Sequence, residues 1–288
     1  MVLSNVVACP TIYRNNEIDF DEQVDLLLFL EQYFEEVIIF GSTGDQMAIS
    51  VDEKIEFIEY LEKEVSLKIK KIYAVGGSNT KEVLKLTSFI NKNTSCNLIM
   101  LTSVPYLCLN QNELFEYVSQ VKRLFFGKIM LYNNYKRTGN KFEVNTINRL
   151  IEGNYIVCLK DVSGLDPDMI NAPVLSGFDS DFFDSRYDGV TSVLGNIMPN
   201  TIKVLVRQRN EFKHRNELCE VVKCMNGIGF IKSLKFLLTL ESVTLSYETI
   251  HPMQKVTLDE MLALYELYIK RINVLETIYD NNLEFEIK

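Results

Sequence analysis

Short runs of consecutive apolar residues alternate along this chain with longer stretches in which apolar positions recur every three or four residues. The short runs, at 6–8, 37–40, 72–75, 97–101, 129–132, 156–160, 174–176 and 189–193, predict eight strands. Several show no polar alternation, the pattern of parallel strands covered on both faces. The longer stretches predict helices over 20–34, 51–65, 80–91, 111–124 and 144–151. Ser50 followed by Glu53 is the signature of a capping box opening the second of these helices. Past the eighth strand, amphipathic stretches near 201–224, 230–241 and 257–278 predict helices alone. The sequence therefore predicts an α/β fold, a (β/α)8 TIM barrel over residues 1–200, with a C-terminal helical extension over 201–288 packed on it as one structural unit. An open doubly wound sheet has the same periodicity and stands as the structural alternative.

Composition narrows the function classes. With 30 Lys and Arg against 39 Asp and Glu, the formal charge is −9. General nucleic-acid binding, which needs a positive field to displace counterions, is not expected. No apolar run approaches the ~18 residues of a membrane span, and residues 1–10 lack the basic start and apolar core of a secretory signal. The six cysteines form no CxxC pair, which suits reduced thiols and a cytoplasmic location. Only two histidines are present, His214 in a polar run and His251 before a proline. No metal is expected, and proton transfers fall to Lys, Tyr, Asp or Glu.

Chemically distinctive residues recur just past the predicted strand ends: Gly41-Ser42-Thr43-Gly44-Asp45, Gly76-Gly77-Ser78-Asn79, Pro105-Tyr106, Tyr132-Asn133, Lys160-Asp161 and Ser176-Gly177. In a barrel these ends converge on one face, where the active sites of this fold lie. Lys160 closes the apolar run 155–159. A strand-end lysine commonly snorkels to water. In a barrel mouth, desolvation instead favours the neutral amine, a nucleophile for ketones. Tyr132 ends the neighbouring strand and could exchange protons with it, or simply pack as an amphipathic strand end. Arg137 stands in the following loop, where a guanidinium can bind a carboxylate in a bidentate way or serve as an ordinary turn residue. Ser42 and Thr43 precede a helix, a setting suited to a carboxylate. The loop lacks the lysine and spacing of a nucleotide-binding P-loop.

Taken in order, these segments resemble the dihydrodipicolinate synthase / N-acetylneuraminate lyase family. Its members are pyruvate-dependent class I aldolases on a (β/α)8 barrel with extra C-terminal helices. The likeness runs from about residue 7 to about residue 200. It rests on Phe40-Gly41-Ser42-Thr43-Gly44-Asp45, Val104-Pro105-Tyr106, Leu131-Tyr132-Asn133 with Arg137-Thr138-Gly139, Leu159-Lys160-Asp161-Val162-Ser163-Gly164, Ser176-Gly177-Phe178-Asp179 and Asp188-Gly189-Val190-Thr191-Ser192-Val193.

The resemblance implies that Lys160 forms a Schiff base with pyruvate, with no further cofactor, and that Tyr132 is the acid/base. Ser42 then relays protons in place of a threonine, and Thr43, Gly41 and Gly177 belong to the substrate-binding set. The Tyr-Asn-x-x-x-Arg-Thr-Gly form at 132–139 looks like the synthase branch, in which Arg137 binds the carboxylate of aspartate semialdehyde on the way to diaminopimelate and lysine. The alternatives are a pyruvate-forming aldolase for a 2-keto-3-deoxy sugar acid, sialic acid or 4-hydroxy-2-oxoglutarate, and a barrel that binds a keto acid without turnover. A homotetramer or homodimer is implied. This chain departs from the family where Leu107 follows Tyr106, so that either Tyr106 completes the hydroxyl relay or the relay is broken; where Asn134-Tyr135-Lys136 lacks the usual proline between Tyr-Asn and Arg; and where Asn226-Gly227-Ile228-Gly229-Phe230-Ile231-Lys232 replaces a proline-containing segment. Of the positions that bind inhibitory lysine in some members, Asn79 and Glu82 are kept.

Overall fold

The computed structural model describes residues 6–285, and the side chains of residues 6–280. The signal-peptide reading of residues 1–5 and the last three residues of the extension lie outside the described residues. Strands β1 (Val6–Ala8), β4 (Glu36–Ile39), β5 (Lys70–Val75), β6 (Leu98–Thr102), β7 (Lys128–Asn133), β8 (Cys158–Asp161), β9 (Val174–Ser176) and β10 (Gly189–Ser192) pair in parallel and close on one another. β10 returns to β1, so the sheet is a barrel and not the open alternative. Every residue of β6 and β9 is buried, as are the last four of β5. That burial on both faces is why these runs read as continuous apolar segments.

Helices α1 (Phe20–Leu30), α2 (Val51–Glu64), α3 (Thr80–Asn93), α4 (Gln111–Leu124), the single turn α5 (Tyr135–Thr138) and α6 (Val144–Glu152) follow the earlier strands. The expected capping box at α2 is formed: Ser50 accepts from Glu53 N, and the Glu53 side chain accepts from Ser50 N. α1 stops at Leu30, four residues short of expectation: beyond Glu31 the Gln32 and Tyr33 amides bond three residues back, to Phe29 O and Leu30 O, so 31–33 are turns.

Three features differ from the sequence reading. The segments after β8 and β9, where the sequence shows no helical period although a (β/α)8 barrel calls for helices, are 3-10 turns, Pro167–Met169 and Asp179–Phe183, so two of the eight strand–helix units are abbreviated. A small antiparallel hairpin, β2 (Tyr13–Arg14) and β3 (Glu17–Ile18), turns through Asn15 and Asn16 at φ +54 and +66. The stretch 201–224 is two helices, α7 (Pro199–Gln208) and α8 (Arg215–Ile228), separated at 209–214. α9 (Phe230–Leu240), α10 (Leu258–Leu267), a π turn (Tyr268–Ile272) and α11 (Asn273–Phe285) complete the extension. Among the described residues no helix is long and apolar enough to cross a membrane.

Candidate active site

The register of two neighbouring strands sets the site. β7 and β8 pair so that Tyr132 lies beside Lys160 and Asn133 beside Asp161. Side chains alternate faces along a strand, so Tyr132 and Lys160 share one face while Asn133 and Asp161 share the other. The Lys160 ammonium stands 4.8 Å from the centre of the Tyr132 ring. Lys160 is only 5% exposed, and burial pushes its amine down to about 8. The Asp179 carboxylate opposes that fall, and the Arg137 guanidinium adds to it. A buried lysine brought this close to neutrality holds an appreciable share of free amine, the form that attacks a carbonyl carbon.

Tyr132 is oriented by a residue that the motif reading passed over. Asn134 Nδ2 donates to the tyrosine oxygen at 2.7 Å, while Asn134 Oδ1 accepts from the Arg137 amide at 3.3 Å. The second bond fixes which end of the amide faces the ring. The tyrosine oxygen is thus an acceptor here. Asp179 is likewise new to the site: it is buried and accepts from Ser192 Oγ, from Val193 N at 3.0 Å and from Leu194 N at 3.2 Å. Burial pushes its carboxyl up, and those donors together with Lys160 pull it back.

The outward pair builds the loop. Asn133 Nδ2 donates to Asp161 Oδ1 at 2.9 Å, and Asp161 Oδ2 accepts the amides of Ser163, Gly164 and Leu165 at 3.1, 2.9 and 3.1 Å. Asp161 therefore shapes the turn after β8 while Lys160 faces inward. Gly177 faces Lys160 across the next strand end. A Cβ there would fall 2.5 Å from Val162 Cγ1 and 3.0 Å from Lys160 Cε, so a larger residue would push the lysine aside.

These groups open on a cavity of about 290 Å³. Ser42, Thr43, Tyr132, Asn134, Arg137, Lys160, Gly177 and Asp179 line it, with Lys136 and Ser180 toward the rim. Its apolar walls are Val162, Phe178 and Val193 from the barrel, and Val222, Phe230 and Ile231 from α8 and α9. The extension thus forms part of the site, through residues whose apolar spacing reads only as helix core.

Two expected residues stand elsewhere. Gly41 lies below the cavity, where a Cβ would meet Ile38 Cγ2 at 3.2 Å and Met100 Cε at 3.5 Å, so it packs on the barrel interior. Tyr106 is 97% exposed at φ +73 and does not enter the cavity of its own chain. Asn140 explains why: it donates to Val104 O at 2.8 Å and accepts from Leu109 N at 2.9 Å, tying both ends of the loop and leaving its tip projecting. Asn79 and Glu82 make local bonds, Asn79 capping α3 through the Glu82 amide and Glu82 accepting from Ser78 N and Oγ. Among the described residues, no group of three or more His, Cys, Asp or Glu could hold a metal ion.

The sequence profile described as Dihydrodipicolinate synthetase family matches residues 6–270. The 4-hydroxy-tetrahydrodipicolinate synthase of Oceanobacillus iheyensis is 28% identical over 209 residues, 68% of this chain and 70% of that one. The enzyme of the same name from Staphylococcus epidermidis is 27% identical over 237 residues, 77% and 80% of the two chains. In structure, the 4-hydroxy-tetrahydrodipicolinate synthase of Methylacidiphilum fumariolicum superposes with a TM-score of 0.84 at 23% identity, covering 97% of this chain and 99% of that one. The Thermotoga maritima dihydrodipicolinate synthase gives 0.84 at 20% identity, covering 94% and 99%. The barrel, the lysine at its mouth and the near-complete match of the profile lead to one conclusion: this chain belongs to the dihydrodipicolinate synthetase family and is an enzyme of the lyase class.

Proposed function

We propose that this enzyme joins pyruvate, held as an imine on Lys160, to a small aldehyde that carries a carboxylate, the reaction of a 4-hydroxy-tetrahydrodipicolinate synthase acting on aspartate semialdehyde. The observation that carries this reading is the convergence of Lys160, Tyr132 and Arg137 on one cavity. Lys160 Nζ attacks the keto carbon of pyruvate, and the amine proton passes to the carbonyl oxygen. Tyr132 supplies a second proton, water leaves, and a protonated imine remains. That imine takes up the electron pair released when the pyruvate methyl loses a proton. The resulting enamine attacks the aldehyde carbon, and the new alkoxide is protonated. Attack of water or of an amine on the imine carbon then frees Lys160. In this reading Thr43, which lines the cavity, holds the pyruvate carboxylate, Ser42 beside it relays protons, and Arg137 binds the carboxylate of the aldehyde. The lysine provides the electron sink itself, so this chemistry calls for no added cofactor.

Val162, Val193, Val222, Phe230 and Ile231 suit the short methylene body of a semialdehyde. Asn226 of α8, Ser180 and Lys136 line the same cavity and offer partners to hydroxyls, so Arg137, and not the wall, carries the choice of a carboxylate-bearing aldehyde over a sugar acid. Turnover to diaminopimelate and lysine in the cytoplasm, by a homodimer or homotetramer, belongs to the same proposal; exposed Tyr106 and Leu107 give the barrel mouth an apolar tip suited to a second copy.

Incubation with pyruvate, borohydride reduction and peptide mass spectrometry test the first half-reaction, with the reduced adduct expected on Lys160. No adduct at Lys160 would sink the imine mechanism. Consumption of aspartate semialdehyde tests the second half. There, Arg137→Ala is expected to raise the KM for the aldehyde by roughly tenfold to a hundredfold, from the ~1.5–3 kcal/mol that a charge-assisted hydrogen bond carries. Pyruvate release from a keto-deoxy sugar acid, unaffected by that change, would favour the aldolase instead.

A further inference from the structure

A second charged cluster lies behind the Ser42–Thr43 loop, outside the cavity. Lys235 on α9 is fully buried, donates to Asp45 Oδ2 at 3.0 Å and stands 4.2 Å from the centre of the Tyr13 ring. Three distant parts of the chain meet there: the segment after β1, the loop after β4 and the extension. Thr11 Oγ1 adds a bond to Gly44 O at 2.9 Å. The backbone approach is so close that a Cβ on Gly44 would stand 3.1 Å from that hydroxyl and 3.2 Å from Cys9 O.

Burying an ammonium and a carboxylate is a poor way to gain stability, because well-packed apolar residues of similar volume commonly do as well or better. What the pair does supply is a directional hold on one backbone conformation. The loop it holds is strained at both ends: Phe40 and Asp45 have φ of +60 and +55, a region that disfavours residues with a side chain. Such conformations persist only where the surroundings over-determine them. Between these residues lie Ser42 and Thr43, both lining the cavity, and one turn before Lys235 on the same helix Ile231 lines the cavity as well.

We propose that Lys235 is a positioning residue for the keto acid: its pairing with Asp45 fixes the 41–45 loop so that Ser42 and Thr43 meet the carboxylate of the bound substrate. This rests on the reading of the cavity as a pyruvate site. Asp45→Asn keeps the shape and removes one charge, and the double variant Lys235→Met/Asp45→Asn removes both without leaving a buried charge unpaired. Both are expected to fold, to form the reduced pyruvate adduct on Lys160 at saturating pyruvate, and to show a KM for pyruvate about tenfold higher with kcat much less changed. A purely structural pair would instead lower the melting temperature and leave that KM alone. A wild-type KM for pyruvate in either folded variant would overturn the proposal. Absence of the adduct in the unaltered enzyme would strike the pyruvate reading itself, so the two failures are told apart.

Discussion

At the scale of single residues, the tension sits on Lys160. Its amine is pushed down to about 8 from an ordinary 10.5, burial being the main cause. Between those two values the unfolded chain holds a proton that the folded chain has released, so the stability of the enzyme rises with pH across that window. Below about 8 the folded state carries the whole penalty of a charged, buried lysine. Lys160→Met is therefore expected to melt higher than the unaltered enzyme near neutral pH, by on the order of 3 kcal/mol in stability. The gap should close as pH climbs through about 8 toward 10.5. Calorimetry across that range checks it, and a gap independent of pH would contradict the assignment. The same displacement governs the rate: imine formation at subsaturating pyruvate should climb with pH and level off above about 8. Much of this was legible in the chain, because Lys160, Tyr132, Arg137, Ser42 and Thr43 sit in ordered motifs at strand ends. Asn134 and Asp179 lay inside or beside those motifs unnoticed, since what matters is the atom each faces. Tyr106 projects from its own chain because Asn140 ties both ends of its loop, which a tyrosine after a proline does not announce.

At the scale of elements, α7, α9 and α11 meet around two carboxylates. Glu276 of α11 accepts the Asn200 and Thr201 amides at 3.1 and 2.8 Å, capping α7 from outside its own helix. Glu241 ends α9 nearby, and its carboxyl is pushed up to about 7, first by burial and then by the Glu276 charge. An acid raised in the folded state is disfavoured once ionised. Its penalty is absent below the ordinary 4.5, grows with pH and is complete above about 7. Glu241→Gln should accordingly raise the melting temperature above about 7 and leave it nearly unchanged below 4.5. An equal shift at both ends would refute this reading. The barrel strands were readable from apolar runs because parallel strands are covered on both faces. The hairpin β2–β3 was not, being two residues per strand, although adjacent Asn15 and Asn16 are a turn pair suited to left-handed backbone. The 3-10 turns after β8 and β9 are too short to show a period at all.

At the scale of the whole molecule, the formal charge of −9 is set against a cavity rim that carries Lys136 and Arg137. The cavity itself is divided between two regions: Lys160 and Tyr132 stand on the barrel, while part of the apolar wall comes from the extension. Phe230→Ala should consequently preserve the pyruvate adduct on Lys160 and weaken the preference for one aldehyde over longer ones, read as the ratio of kcat/KM values. Loss of the adduct in that variant would show that the wall also serves the first half-reaction. None of this division was visible in the chain, because the contacts that make it join residues far apart, Asp45 and Lys235 being separated by 190 positions.

That separation also has a meaning in time. Domains are made from the N-terminus onward at a finite rate, and every barrel strand has been synthesised by Ser192, well before Lys235 exists. A nascent barrel would hold Asp45 with no cation beside it and Lys160 beneath an unfinished wall. The cavity wall and the partner of Asp45 are therefore completed only when α8 and α9 have been made.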